Sequence, residues 1–141
     1  LKKGTKVDQS NIKDMRIGVH QGTTGATFAT DVLKPNTPVK TYPDVPGMFT
    51  ALAAGQIDVA LTDTAYVLGE AAASHGTMEV VGQYANGESY GAVYPKGGAN
   101  NAQWDKIIQS MIDDGTLKML AGKYLAAAWG ADPTSIPYLK Q

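Results

Sequence analysis

A chain of 141 residues, of which 43% are hydrophobic and 18% charged, is long enough for one folded domain and too apolar to stay disordered. The formal net charge of −1 gives no basic surplus for nucleic acid, and no apolar run reaches the roughly 20 residues of a membrane span. The absence of cysteine excludes disulfides, thiolate catalysis and cysteine-ligated zinc.

Short apolar runs alternate with helical patterns along the first half of the chain, and a helical tail follows. In chain order, the predicted elements are a strand at 16–19, a helix at 28–33, a strand at 39–42, a helix at 45–54, a strand at 57–61, a helix at 64–74, strands at 80–81 and 90–94, and tail helices at 104–112 and 117–129. We expect the last residues, 131–141, to be irregular because they contain two prolines.

Capping residues and prolines set the predicted helix boundaries. Pro35 ends the first helix, and Asp44 is a plausible N-cap of the second, with Pro46 in its first turn. Gly55 stands where a C-cap glycine belongs, and Gly76 closes the third helix. The large aromatic residues fall on helical stripes and are predicted core residues: Phe28, Phe49, Trp104 and Trp129.

The alternation of strand and helix over 16–81 predicts βαβ units, and therefore a mostly parallel, Rossmann-like α/β sheet with helices on both faces. The helical tail breaks this alternation. It either packs as an extra layer or belongs to a different lobe.

Two loops should meet at one edge of such a sheet, because ligands of open parallel sheets bind outside the carboxyl ends of the strands. The loop at 20–25 leads into a helix N-terminus, which favours an anion, and Gly22 and Gly25 let a ligand approach the backbone. The loop at 62–64 offers the carboxylate of Asp63, which favours a cation. An anion site beside a cation site suits a zwitterion, of which a free amino acid is the simplest.

Each of these polar residues also has a purely structural interpretation. Thr23 or Thr24 could serve only as the N-cap of the helix that follows, and Asp63 could cap the next one. His20 could be a solvated loop residue, and Thr62 the last residue of its strand. Capping and ligand binding are not exclusive, so both interpretations stay open at this point.

Other chemistry finds little support in the sequence. Arg16, the single arginine, begins a strand and is expected to be solvated. The glycine loop at 22–25 is neither GxGxxG nor a P-loop, and no GxSxG or HExxH motif occurs. The two histidines lack metal-ligand spacing, so no metal or other cofactor is predicted.

Several segments together resemble the second lobe of bacterial extracellular solute-binding proteins of family 3, which bind polar amino acids and have the type 2 periplasmic-binding fold. The similar segments keep the family's order and are RIGVHQGTTG at 16–25, YPDVP at 42–46, ALAAGQIDVA at 51–60, Asp63, YGAVYPKG at 90–97, DGT at 114–116 and WG at 129–130. The resemblance spans nearly the whole chain.

The resemblance implies a role for each candidate residue. Thr23 and Thr24 would meet the α-carboxylate of the ligand, Asp63 would take its α-ammonium group, and His20 and Thr62 would lie near its side chain. The complete predicted ligand-binding set is His20, Thr23, Thr24, Gly25, Thr62 and Asp63.

The chain departs from this family at its start, because the first lobe, with its arginine and aromatic residues, is missing and there is no initiator Met. We expect a fragment in which 1–95 form the second, smaller lobe with hinge strands at both ends. Residues 96–141 would be C-terminal helices of the first lobe. Because that lobe is missing, the tail helices lack their native packing partner, which could drive self-association or domain swapping of the fragment.

The function implied by the resemblance is extracytoplasmic capture of a polar amino acid, in the periplasm or at the cell surface, for delivery to the membrane subunits of an ABC importer. The chain is then not an enzyme. Two alternatives remain: an enzyme on the same fold, similar to cyclohexadienyl dehydratase and using His20 as its acid or base, and a ligand-sensing module of a receptor.

Overall fold

The computed structural model describes residues 1–88, 91–126 and 135–140 and has a parallel three-stranded sheet at its centre. Strand β1 (Ile17–His20) lies between β2 (Lys40–Tyr42) and β3 (Val59–Leu61). Both pairings are parallel, with Val19 opposite Thr41 on one side and Leu61 on the other. The predicted α/β fold with a parallel sheet is therefore confirmed.

Helices connect the strands as the sequence predicts. Helix α1 (Thr24–Thr27) continues into a π-helical segment (Phe28–Leu33), and α2 (Val45–Ala53) and α3 (Thr64–Ala73) follow β2 and β3. The predicted boundaries of α2 are confirmed: the carboxylate of Asp44 accepts a hydrogen bond from the amide of Gly47 at 2.7 Å, and Gly55 has a φ of 72°.

The two faces of the sheet bury separate apolar clusters, because successive side chains of a strand point to opposite faces. On one face Ile17 and Val19 of β1 pack with Ala29 and Leu33 of the π-helical segment. The buried residues of the second cluster come from α2 and the segment before β3: Met48, Phe49, Ala51, Leu52 and Ile57. Helices thus cover both faces and hold the strand ends in place.

Arg16 is 47% exposed, as expected, and its side chain also forms an ion pair. Its Nη2 and Nε atoms donate hydrogen bonds to the two carboxylate oxygens of Asp58 at 2.6 and 2.8 Å. These bonds hold the pKa of Asp58 below its ordinary value. The pair joins the residue before β1 to the residue before β3 and lies at the amino ends of the strands.

The predicted strands at 80–81 and 90–94 do not form in the described part of the chain, of which 89–90 are not a part. Other segments take up the backbone hydrogen bonds near 80–81. The amide of Glu79 donates to the carbonyl of Leu1, and Gln83 exchanges backbone hydrogen bonds with Pro137 and Leu139. These partners are remote in sequence, which is why a local pattern could not reveal them.

The tail forms the predicted helices, but they do not pack into the core. Helix α4 (Asn101–Asp113) and α5 (Thr116–Leu120), which continues as a π-helical segment (Ala121–Ala126), have no buried residue among those described. Trp104 is 51% exposed, so its predicted core position is wrong, whereas Phe49 is buried as predicted. Trp129 lies outside the described residues, and the division at residue 95 stays a prediction.

Within the described ranges, no helix is both long and apolar enough to cross a bilayer.

Candidate functional site

The two predicted loops lie side by side at the carboxyl edge of the sheet. β1 and β3 are direct neighbours, so the turns that follow them share one edge. A Cβ atom placed on Gly25 would lie 3.7 Å from the Cα atom of Thr62 and 3.8 Å from the carbonyl oxygen of Leu61. The start of α1 therefore contacts the loop that leads into α3.

Thr23 and Thr24 have different structural roles at the start of α1. The Oγ1 atom of Thr23 accepts a hydrogen bond from the amide of Ala26 at 3.2 Å and donates one to the carbonyl of His20 at 2.8 Å. Thr23 is therefore the N-cap. Thr24 is exposed, and its hydroxyl has no hydrogen-bond partner among the described residues, so it can contact a bound molecule.

Substituting these threonines should separate the two roles. Thr23→Ala removes the capping oxygen and is expected to lower the free energy of unfolding by about 1 kcal/mol. Thr24→Ala is expected to leave the free energy of unfolding within about 0.5 kcal/mol of the parent. Urea denaturation measures both values, and equal losses in the two variants would contradict this assignment of the cap.

Asp63 precedes the first residue of α3, and its side chain does not cap that helix. Its backbone carbonyl accepts hydrogen bonds from the amides of Tyr66 and Val67, but its carboxylate has no partner in the described part of the chain. Because the side chain is also exposed, the charge is free to pair with a ligand cation. The interpretation of Asp63 as a side-chain cap is therefore not what the geometry shows.

A cavity of about 760 Å³ lies at this edge, and the segment at 78–84 also lines it. Four of the six candidate residues line it: Thr24, Gly25, Thr62 and Asp63. His20 and Thr23 do not, since Thr23 is the helix cap and a ring nitrogen of His20 lies 3.2 Å from the carbonyl oxygen of Pro43. The volume lies in the range of 300–1,000 Å³ that is typical of small-molecule sites.

Sequence reasoning missed several residues that line the cavity, among them Tyr84, Asn86 and Glu88. The ring centroid of Tyr84 lies 4.9 Å from that of Phe28. The Tyr84 hydroxyl is buried without a hydrogen-bond partner, and burial raises its pKa. The rule that identified Asp63 does not reach these residues, because no strand forms at 80–81 in the described part of the chain.

The arrangement suits the binding of a small dipolar molecule. The amide groups at the start of α1 favour an anionic group, and the Asp63 carboxylate beside them favours a cationic group. Over the ranges 1–88, 91–126 and 135–140, no cluster of three His, Asp or Glu residues could hold a metal ion.

Comparison with known proteins yields a structural match. No family model matches the chain, and no curated protein matches its sequence. The crystal structure of the solute receptors for L-cysteine of Neisseria gonorrhoeae is similar to it, with a TM-score of 0.60 and 22% identity. The match covers 95% of this chain and 56% of that one, so the chain spans little more than half of the receptor. The chain has the mixed α/β fold of a periplasmic-binding-protein lobe, a three-stranded parallel sheet flanked by helices.

Proposed function

We propose that this protein captures a free polar amino acid as a non-catalytic solute-binding protein. The observation that carries the proposal is the contact between the start of α1 and the Thr62–Asp63 loop in the lining of one cavity. A zwitterion places its carboxylate at the amides near Thr24 and its ammonium group at Asp63. The solute-receptor fold supports the same conclusion.

The two charged ends of the ligand require different partners. Unpaired amides of the first helical turn donate to the carboxylate, and the helix dipole adds a favourable interaction of about 0.3–1 kcal/mol. The free carboxylate of Asp63 accepts from the ammonium group in a charge-assisted hydrogen bond. Thr62 and Gly25 contact each other, line the same cavity and give the ligand close access to the backbone.

The complete transport function extends beyond the part of the fold seen here. We propose that a further lobe, corresponding to the rest of the longer receptor chain, completes the cleft. The bound amino acid is then delivered outside the cytoplasm to the membrane subunits of an ABC importer. The exposed apolar residues of α4 and α5 suit packing against that lobe, and in its absence they favour self-association of the chain.

Binding without turnover fits the cavity better than catalysis does. His20 was the candidate acid or base for an enzyme on this fold, and it lies outside the cavity, against the carbonyl of Pro43. The ionisable side chains that line the cavity are carboxylates and the Tyr84 phenol.

A thermal-shift panel of the twenty standard amino acids, run on the protein with its further lobe present, tests the proposal. A ligand present at about one hundred times its dissociation constant should stabilise the folded protein by about 2.7 kcal/mol. D-Enantiomers serve as matched controls, since they keep both charges but exchange the positions of side chain and hydrogen. Stabilisation by a subset of L-amino acids supports the function, and the absence of a shift with every amino acid overturns it.

A further inference from the structure

We propose that Asn86, a residue of the cavity lining, is a site of spontaneous modification at which the side-chain amide is converted to a carboxylate. The reaction class is intramolecular deamidation, and its co-reactant is water. The modification goes beyond the proposed function and does not depend on it, because the chemistry requires no amino-acid ligand. Three features of the segment support it: the residue that follows Asn86, the hydrogen bonding of its side chain, and its exposure to solvent.

The residue that follows Asn86 leaves the attacking atom open. Asn86 is the one asparagine of the sequence that is followed by glycine. Intramolecular deamidation begins when the backbone nitrogen of the next residue attacks Cγ of the asparagine, and glycine has no Cβ to shield that nitrogen. Gly87 also has a φ of 72°, a left-handed conformation that other residues rarely adopt. The turn therefore favours the residue type that makes the attack easiest.

The side chain of Asn86 folds over the backbone that follows it. Its Oδ1 atom accepts a hydrogen bond from the amide of Glu88 at 3.2 Å, so the side-chain carbonyl lies over the peptide group of Gly87. This bond also stabilises the negative charge that develops on Oδ1 as the nitrogen attacks Cγ. The leaving group, Nδ2, has no hydrogen-bond partner among the described residues, so no contact there holds it back.

Solvent reaches the whole turn, because residues 85–88 are all exposed. Water is therefore available at the reacting atoms. Three other asparagines use Nδ2 as a hydrogen-bond donor to a remote acceptor, which fixes the side-chain amide and opposes its departure: Asn11, Asn36 and Asn101. Asn11 and Asn36 are also followed by the β-branched residues Ile12 and Thr37, which shield the backbone nitrogen.

The reaction loses ammonia and takes up water, with no oxidation or reduction. The nitrogen of Gly87 bonds to Cγ of Asn86 and gives up its proton, while the Cγ–Nδ2 bond breaks and Nδ2 leaves as ammonia. Water then opens the resulting five-membered imide ring. Cleavage between the nitrogen and Cγ yields aspartate. Cleavage between the nitrogen and the main-chain carbonyl carbon yields isoaspartate, in which the chain runs through the former side chain.

Either product changes the cavity, because Asn86 is part of its lining. The charged side chains of the described lining are Asp63, Glu79 and Glu88, all of them carboxylates. A new carboxylate at 86 adds to this negative charge, and isoaspartate also lengthens the backbone by one methylene group two residues after Tyr84. The electrostatic potential of the cavity therefore becomes more negative as the molecule ages.

Peptide mapping by mass spectrometry tests this inference on the protein with its further lobe present. The protein is incubated in mildly alkaline buffer, since the attacking nitrogen must lose its proton, and samples are taken over time. We expect aspartate and isoaspartate at 86, formed at least about 10-fold faster than at Asn11 or Asn36. Isoaspartate identifies the ring route, because direct hydrolysis of the amide yields aspartate alone.

Asn86→Gln and Gly87→Ala are the matched variants, and circular dichroism checks that each is folded. Glutamine keeps the amide but would have to close a six-membered ring, so we expect no conversion at 86. Alanine shields the nitrogen and should slow conversion about 10-fold. The proposal is overturned if Asn86 converts no faster than Asn11, if it yields aspartate alone, or if folded Gly87→Ala reacts at the parent rate. Should Gly87→Ala not fold, the comparison with Asn11 and Asn86→Gln decides.

Discussion

Replacing Asp63 with asparagine is expected to weaken amino-acid binding about 30-fold or more, which corresponds to about 2 kcal/mol. Asparagine keeps the shape of the side chain but removes the charge that pairs with the ligand ammonium group. Because the Asp63 carboxylate has no partner in the described part of the chain, its loss should leave the folded state almost unchanged. Calorimetric titration measures the affinity, and thermal unfolding without ligand measures the stability.

Asp105→Asn provides a matched control for this substitution. Asp105 is an exposed residue of α4 that does not line the cavity, so its variant has the same change in net charge at a remote position. The control should bind ligand with parent affinity. An Asp63→Asn protein that binds as tightly as the control would show that the ammonium group is held elsewhere.

Truncating Ile17 to alanine is expected to lower the free energy of unfolding by about 2–5 kcal/mol. Ile17 is fully buried at 0% exposure on the central strand, where it packs with Leu33 and Val59. Removing its side-chain carbons leaves a cavity between the sheet and the π-helical segment after α1. Urea denaturation monitored by circular dichroism measures the change.

Ile112→Ala is the corresponding control, since it removes the same atoms from a side chain of α4 that is 54% exposed. We expect a change within about 0.5 kcal/mol. A loss comparable to that of Ile17→Ala would mean that the outer face of α4 is covered in solution. The pair of substitutions therefore reports on the core and on the tail helices in one experiment.

The parts of the fold that the sequence predicts are those with strong local signals. Buried apolar runs identified β1 and β3, because both lie within a sheet that helices cover. Asp44 and Gly55 bounded α2 correctly, since capping depends on residues within one helical turn. The strand predicted at 80–81 does not form, and the backbone groups on either side of it, at Glu79 and Gln83, pair with residues so remote in sequence that no local pattern reports them.

Amphipathic periodicity was less informative in the tail. It placed Trp104 correctly on the apolar stripe of a helix, but a stripe shows only which side is apolar and not whether anything covers it. The ion pair of Arg16 was not predicted, for a related reason. Its partner, Asp58, lies 42 positions away, and only the parallel pairing of β1 with β3 brings the two together.

The rule that ligands bind outside the carboxyl ends of parallel strands located the candidate site, but it could not tell which residues of the two loops line the cavity. It brought Thr24 and Asp63 to one edge, and the structure places both on the cavity. It also included His20, whose ring lies against Pro43, a contact that depends on the neighbouring β2 loop. Tyr84 was missed because the unpaired state of a hydroxyl group depends on packing, which the sequence does not encode locally.

Strand β3 closes one side of the described sheet, and Val59, Ala60 and Leu61 all line the cavity. An edge strand has alternate amide and carbonyl groups that its single neighbour leaves unpaired. An occupant of the cavity therefore meets main-chain polar groups as well as side chains. Replacing Val59 and Leu61 with alanine keeps such groups in place, so these substitutions would underestimate how much of the recognition belongs to the backbone.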